Sequence, residues 1–291
     1  MVCKKWVVAI GMFDGVHEGH RKVLEEAAGY ARRCRVKSIA ITFDHIPKNT
    51  LGALTTLEEK KELIKSAGID AVKVLPFEKV RDLSPETFCR QYLSNNAVVF
   101  LGYNFRFGKD RSGDVSTVKR FAADVAVVEP VKFSGRVISS TLIKQLLHAG
   151  DIKTVNKYLG RNYRFSGATV SGFGIGKKLG YPTINIKVSP AKILPEGIFV
   201  SVTVLGGKRY RSATYIGRRP TFGAGPTAVE THILGRKSVP SESNPSVEIL
   251  SKIRADMKFP SPQALATRIR KDVAACEKYF LSVSTGRTKN A

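Results

Sequence analysis

At 291 residues the chain has room for about two domains, each able to bury its own core. An apolar fraction of 43% excludes a disordered chain, and no apolar run nears the ~18 residues of a membrane-spanning helix. The formal charge of +24 points to anionic ligands, but the basic residues are scattered in ones, twos and threes rather than gathered into an arm, so no specific nucleic-acid partner is expected.

In chain order, Trp6–Ile10 (WVVAI) is a continuous apolar, β-branched run, the pattern of a buried parallel strand. The segment Gly11–His20, GMFDGVHEGH, leads into a helical repeat with Val23, Leu24, Ala27 and Ala28 on one face. Ser38–Phe43 predicts a second strand. Thr56-Leu-Glu-Glu59 is a capping box that opens a helix through Ala67, closed by Gly68. Ala71–Leu75 reads as a third strand, and Ser84 caps a helix that begins with Pro85 and runs through Leu93. Ala97–Leu101 and Val125–Val128 add two more strands, and Ser139, Ser140 and Thr141 open a helix that ends near Gly150. Strands separated by helices predict a parallel sheet with helices on both faces, whose ligands lie at the carboxyl ends of the strands.

The pattern changes near residue 160. Phe165–Val170, Gly197–Leu205, Lys208–Ile216, Ala228–Leu234 and Ser246–Ile253 are short β-rich stretches divided by glycine turns. One helix, about Pro262–Tyr279, precedes a frayed tail, Ser282–Ala291. This predicts a small closed or nearly closed barrel and divides the chain into 1–160 and 161–291. The four cysteines, Cys3, Cys34, Cys89 and Cys276, form no Cys-x-x-Cys pair and have no histidine at metal spacing, so they are expected to be reduced and inert, with no zinc site. The apolar part of the N-terminal Met-Val-Cys-Lys-Lys-Trp is too short for a signal peptide, and a cytoplasmic location is expected.

Three stretches of the first half carry chemistry. In GMFDGVHEGH, His17 and His20 stand at the mouth of a helix, where free N–H groups and the positive dipole end favour phosphate. No Gly-Lys-Ser/Thr follows, so this is not a Walker loop. After the fourth strand, Gly102–Gly113 (GYNFRFGKDRSG) sets Asn104, Arg106, Lys109 and Arg111 among glycines and aromatics. After the fifth, Ile138–Lys144 (ISSTLIK) places a cation one turn beyond three hydroxyls, which could be a helix cap or a phosphate clamp. In the second half, Ser171–Asn185 (SGFGIGKKLGYPTIN) has glycines at 172, 174, 176 and 180 that let backbone fold closely round phosphates, with Lys177 and Lys178 adding charge. Glycine-rich barrel turns look the same.

Together with IGRRPTF (216–222) and VETH (229–232), these motifs resemble, in order and from Val7 to about Phe280, the bifunctional riboflavin kinase/FAD synthetase family. The resemblance implies an α/β parallel-sheet nucleotidyltransferase domain, Rossmann-like and of the His-x-Gly-His type, over 1–160. A small β-barrel riboflavin kinase domain with a C-terminal helix would follow over 161–291. It implies ATP phosphorylation of riboflavin to FMN, then attack of FMN on the α-phosphorus of ATP to give FAD and pyrophosphate, both with Mg²⁺. In the first domain His17 and His20 would hold the ATP phosphates, and Ser139, Ser140, Thr141 and Lys144 would clamp the rest of the triphosphate. Gly11, Phe13, Asp14 and Gly15 would line the nucleotide, and Asn104 and Arg106 would face nucleotide or flavin. In the second, Gly172, Gly174, Gly176 and Lys178 would surround ATP, with Pro182, Arg219 and Arg254 also on the ligand side. Thr183 and Asn185 would bind Mg²⁺, and Glu230 would be the base for the riboflavin 5′-hydroxyl.

The chain departs from the family pattern at five places, one of them Asp256, which shortens the acid of the family's Arg-x-Glu-x-Lys-Phe. Met12 replaces a smaller or polar residue, and Lys144 replaces an arginine, keeping charge but losing the bidentate fork. Phe43-Asp44-His45-Ile46-Pro47 does not align the histidine of Phe-x-Pro-His-Pro, and GRKSVPSESNPS follows Leu234 in place of a Leu-Asp-Phe…Leu-Tyr-Gly segment. Two alternatives therefore stay open: an FMN adenylyltransferase with a kinase-inactive flavin-binding C-terminal domain, and a basic nucleic-acid-associated protein on the same scaffold.

Overall fold

The computed structural model describes residues 6–45, 52–93, 97–172, 174–217, 227–236, 238 and 244–287, with side chains to 283. The chain forms two compact units, the first ending at Ile143 and the second beginning at Lys144.

The first unit is built on five parallel strands: β1 (Trp6–Ile10), β2 (Lys37–Phe43), β3 (Ala71–Leu75), β4 (Ala97–Gly102) and β5 (Asp124–Val128). Their order is β3-β2-β1-β4-β5. Helices α1 (Glu18–Cys34), α2 (Leu57–Ser66), α3 (Phe77–Val80), α4 (Pro85–Tyr92) and α5 (Val115–Lys119) lie between them. Alternation along each strand divides the core in two. Val7, Ala9, Val98 and Phe100 pack with Val23, Leu24, Ala27 and Ala28 of α1. Val8, Ile10, Val99 and Leu101 pack with Phe88 and Cys89 of α4 and Val118 of α5. Burial on both faces is why β1 and β4 read as unbroken apolar runs. The capping box is present, Thr56 Oγ1 accepting from the Glu59 amide and Glu59 reaching back to the Thr56 amide. After β5 a short hairpin, β6 (Lys132–Phe133) and β7 (Arg136–Val137), leads to α6 (Ser140–Ala149).

In the second unit α7 (Ile152–Leu159) is capped by Asp151 and stopped by left-handed Gly160. Asn156 of α7 donates to the Ile249 carbonyl at 2.9 Å and accepts from the Tyr163 amide at 2.7 Å, fastening this helix to the strands that follow. Those strands are β8 (Tyr163–Val170), β9 (Thr183–Val188), β10 (Gly197–Leu205), β11 (Lys208–Gly217), β12 (Ala228–Ile233) and β13 (Ser246–Arg254). They close into a barrel in the order β10-β11-β12-β9-β8-β13. A single turn, α8 (Ile175–Lys178), sits between β8 and β9. Phe165, Phe199, Ile184 and Ile249 fill the interior with a chain of buried hydroxyls, in which Ser201 bonds Thr214 at 2.7 Å and Thr214 bonds Thr231 at 2.9 Å. Every hydroxyl of that chain has a partner, which makes its burial tolerable.

The structure departs from the sequence expectations in two respects here. The strand β9, which bears Thr183 and Asn185, adds a sixth strand to the five read from the sequence. The last helix, α9 (Pro262–Arg287), runs eight residues beyond Tyr279, so the part of the expected frayed tail up to Arg287 is helical. Cys276 and Phe280 of α9 pack on Val200 of the barrel, and this burial holds the helix where local propensity would let it end.

Candidate functional sites

In the first unit, β1 pairs with β2 on one side and β4 on the other, so the loops after β1 and β4 leave the sheet where the winding direction reverses. Such a crevice is the general ligand position of an open parallel sheet. The loop after β1 is strained: Phe13 has φ 48°, Val16 φ 38° and Gly15 φ 80°. A left-handed β-branched or aromatic residue costs about 1–2 kcal/mol and persists only where the surroundings over-determine it. They do so here. The Asp14 carboxylate accepts from the Leu54 amide at 2.8 Å and the Thr55 amide at 3.4 Å, while the Gly15 amide donates to Thr55 Oγ1 at 3.1 Å. From α6, Ser140 Oγ donates to the Asp14 carbonyl at 2.9 Å. A Cβ on Gly15 would meet Leu54 at 2.8 Å, so no larger residue fits.

This turn delivers the two histidines to the start of α1. His17 is the N-cap, its Nδ1 accepting from the His20 amide at 3.3 Å, and the rings stack at 3.7 Å with an 18° interplanar angle. Phe13 meets His20 edge-on at 5.4 Å. Burial holds His20 well below the ordinary histidine range, with the nearby His17 and Lys60 adding to the shift. At neutral pH His20 is therefore uncharged. Its Nδ1 is buried without a hydrogen-bond partner among the described residues.

Ser139 caps α6, accepting from the Leu142 amide at 3.3 Å; Thr141 is exposed, and Lys144 is buried one turn beyond Ser140. Ser139 thus holds the start of the helix, while Ser140 holds the loop after β1. After β4, Asn104 and Tyr103 are exposed. Arg106 pairs with Asp114 at 3.0 Å, and hydrogen bonds from Ser116 and Thr117 with that cation hold the Asp114 carboxyl below its ordinary value. His45 lies outside these groups, between Asp44 at 2.7 Å and Glu78 at 3.2 Å.

In the barrel the chemistry follows strand register. Ile184, Ile186 and Thr231 point inward, so Thr183, Asn185, Glu230 and His232 share the opposite face. Glu230 lies across from Asn185 and His232 across from Thr183. Thr183 Oγ1 donates to Glu230 Oε2 at 3.4 Å. His232 Nδ1 meets the Pro182 carbonyl at 2.8 Å, with Tyr181 edge-on to its ring at 5.5 Å. The glycine loop lies against this group: a Cβ on Gly172 would come within 2.2 Å of Asn185 Nδ2, and one on Gly176 within 2.5 Å of the Tyr181 carbonyl. Gly174 and Lys178 are exposed at the two ends of α8.

Arg254 is held away from solvent by Asp272 of α9, at 2.7 Å, so it anchors the last helix to the end of β13. Arg219 lies outside the described residues, as do its neighbours over 218–226. Two residues absent from the sequence reading join these groups. Lys60 is buried beneath the His20 loop. Tyr215 lies across from Glu230 on β11, and its hydroxyl donates to Asp256 at 2.9 Å.

Residues 2–142 match the FAD synthetase family and residues 159–280 the riboflavin kinase family. A bifunctional riboflavin kinase/FMN adenylyltransferase of Buchnera aphidicola from Schizaphis graminum is 31% identical over 94% of this chain and 93% of its own. The enzyme of the same name from Bacillus subtilis is 29% identical over 95% and 93%. A crystal structure from Streptococcus pneumoniae, described as a macrolide-efflux protein, superposes with a TM-score of 0.85 at 26% identity, covering 94% of each chain. Among the described residues no helix is long and apolar enough to cross a membrane. With one family matched over each half and a relative above 30% identity matched over nearly the whole length, the chain belongs to the bifunctional riboflavin kinase/FMN adenylyltransferase family.

Proposed function

We infer that the chain makes FAD in two ATP-dependent steps, each in its own unit. In the barrel the riboflavin 5′-hydroxyl oxygen attacks the γ-phosphorus of ATP, ADP leaves, and Glu230 takes the hydroxyl proton. In the sheet unit a phosphate oxygen of FMN attacks the α-phosphorus of a second ATP and pyrophosphate leaves. The observation that carries this reading is that each half has its own family match and its own polar cluster suited to phosphate chemistry. The alternatives with an inactive kinase or a nucleic-acid role gain no support from either half.

The residue roles extend that reading. His20, His17 and Ser140 act on the triphosphate in the sheet unit, where Gly11, Phe13, Asp14 and Gly15 shape the loop and Ser139 and Thr141 open α6. Asn104 and Arg106 face nucleotide or flavin. In the barrel Gly172, Gly174, Gly176 and Lys178 receive ATP, and Pro182, Arg219 and Arg254 support the ligand side. We take the functional boundary near residue 160 and the compartment to be the cytoplasm.

Among the described residues no group of three or more His, Cys, Asp or Glu could hold a metal ion. A threonine hydroxyl, an asparagine carbonyl and one carboxylate are hard oxygen donors, and they fit Mg²⁺, which keeps several waters and needs few protein ligands. Thr183 and Asn185 would hold it, and its charge would offset that of the transferring phosphates. The test is a time course of riboflavin, ATP and Mg²⁺ resolved by chromatography. FMN that rises and then yields FAD is expected; FAD from added FMN but no FMN from riboflavin would leave only the adenylyltransferase, and no conversion at all would refute both.

A further inference from the structure

We propose that Lys60 is a positioning residue for adenylyl transfer, gripping the Met12 carbonyl and with it the strained turn that presents His20. The proposal rests on reading Gly11–His20 as the adenylyl-transfer loop. Lys60 belongs to the first turn of α2, where Lys61 is half-buried and Lys65 exposed, yet it is only 3% exposed. Its Nζ donates to the Phe43 carbonyl at 2.6 Å and to the Met12 carbonyl at 3.3 Å. Phe43 ends β2 and Met12 follows β1, so one ammonium ties the carboxyl ends of two neighbouring strands. Thr42 Oγ1 donates to the same Met12 carbonyl at 3.1 Å.

The next residue, Phe13, is the left-handed one whose ring meets His20. A displaced Met12 carbonyl would therefore move Phe13 and, through it, His20. An ammonium is costly to bury and is retained where its hydrogen bonds and facing charges compensate. Asp14 from the loop and Asp44 beyond β2 face it with negative charge, and His20 of α1 is close enough to feel its positive charge. A solvated helix lysine needs none of these partners.

The test compares Lys60→Met with the parent in the full chain, measuring FAD formed from FMN and ATP, with FMN formed from riboflavin as the control. The kcat for FAD should fall about tenfold or more with KM for ATP nearly constant, because a misplaced group costs rate rather than binding. FMN formation should be unchanged, and the His20 ring should titrate at higher pH by NMR once the neighbouring charge is gone. Thr42→Val removes the other donor to Met12 with an isosteric side chain, and a loss of about threefold or more is expected even where Lys60→Met does not fold. FAD formation within about twofold of the parent in folded variants, while His20→Ala abolishes it, would overturn the role of Lys60 alone. Full FAD formation by His20→Ala would instead overturn the reading of the loop.

Discussion

In the sheet unit the side chains proposed to act are placed by a loop, whereas in the barrel they ride on strands. The loop after β1 holds three left-handed residues and is pinned by donors from the 54–55 segment, α2, β2 and α6. Its geometry comes from bonds to backbone atoms far away in sequence. Thr183, Asn185, Glu230 and Tyr215 need no such pins, because the register of β9, β12 and β11 sets them side by side. The two sites should therefore fail differently. Distant substitutions that release a backbone pin should injure the first, while the second should respond mainly to changes in its own row and in the glycines that press against it.

The largest effect expected is on the proposed base, Glu230. Glu230→Gln should lower FMN formation by about 10²–10⁴-fold, in the range of general-base loss, and leave FAD formation from FMN intact. His20→Ala should do the converse, lowering FAD formation by about 10²–10³-fold through loss of a preorganised donor, with FMN formation unchanged. Gly172→Ala sharpens the comparison, since its Cβ would press on Asn185 rather than on any ligand of the other unit. A fall of about tenfold in riboflavin phosphorylation is expected, read as the ratio of the two half-reactions in one preparation.

The smallest effect is on stability. Burial pulls Lys60 from 10.5 down to about 8, Asp14 and Asp44 opposing the shift. Between those values the unfolded chain binds the proton more tightly than the folded one, so stability rises with pH through that window and the penalty is complete below it. The shift corresponds to about 3 kcal/mol at most. Chemical denaturation at pH 7.5 and 10 (about the two ends of the window) should show a smaller rise for Lys60→Met than for the parent.

Much of this was legible because local and tertiary signals agree. The apolar run Trp6–Ile10, the capping box at Thr56 and the proline after Ser84 each determine their element with no help from elsewhere. The histidine motif also points to its element: it reads as the mouth of a helix, and His17 caps α1. What escaped was set by tertiary burial. Thr183–Val188 alternates polar and apolar residues as a strand does, but it follows the glycine-rich run and Pro182 and reads as the end of a phosphate loop; β12 and β8 bind its two edges. Lys60 sits in LEEKKELIKS, where a lysine looks solvated, and only the carbonyls of Met12 and Phe43 give it a reason to be inside. The anchoring of Arg254 by Asp272 also escaped, because that carboxylate lies 18 residues on, in α9. The helix past Tyr279 likewise owes its length to Phe280 packing on the barrel.

The central claim is that one chain carries two self-sufficient sites linked by FMN. The most direct test is to supply riboflavin, ATP and Mg²⁺ to His20→Ala, to Glu230→Gln and to an equimolar mixture of the two, and to resolve the flavins over time. His20→Ala alone should stop at FMN, Glu230→Gln alone should leave riboflavin, and the mixture should make FAD. A mixture that makes none, or either variant making FAD unaided at the parent rate, would contradict the account.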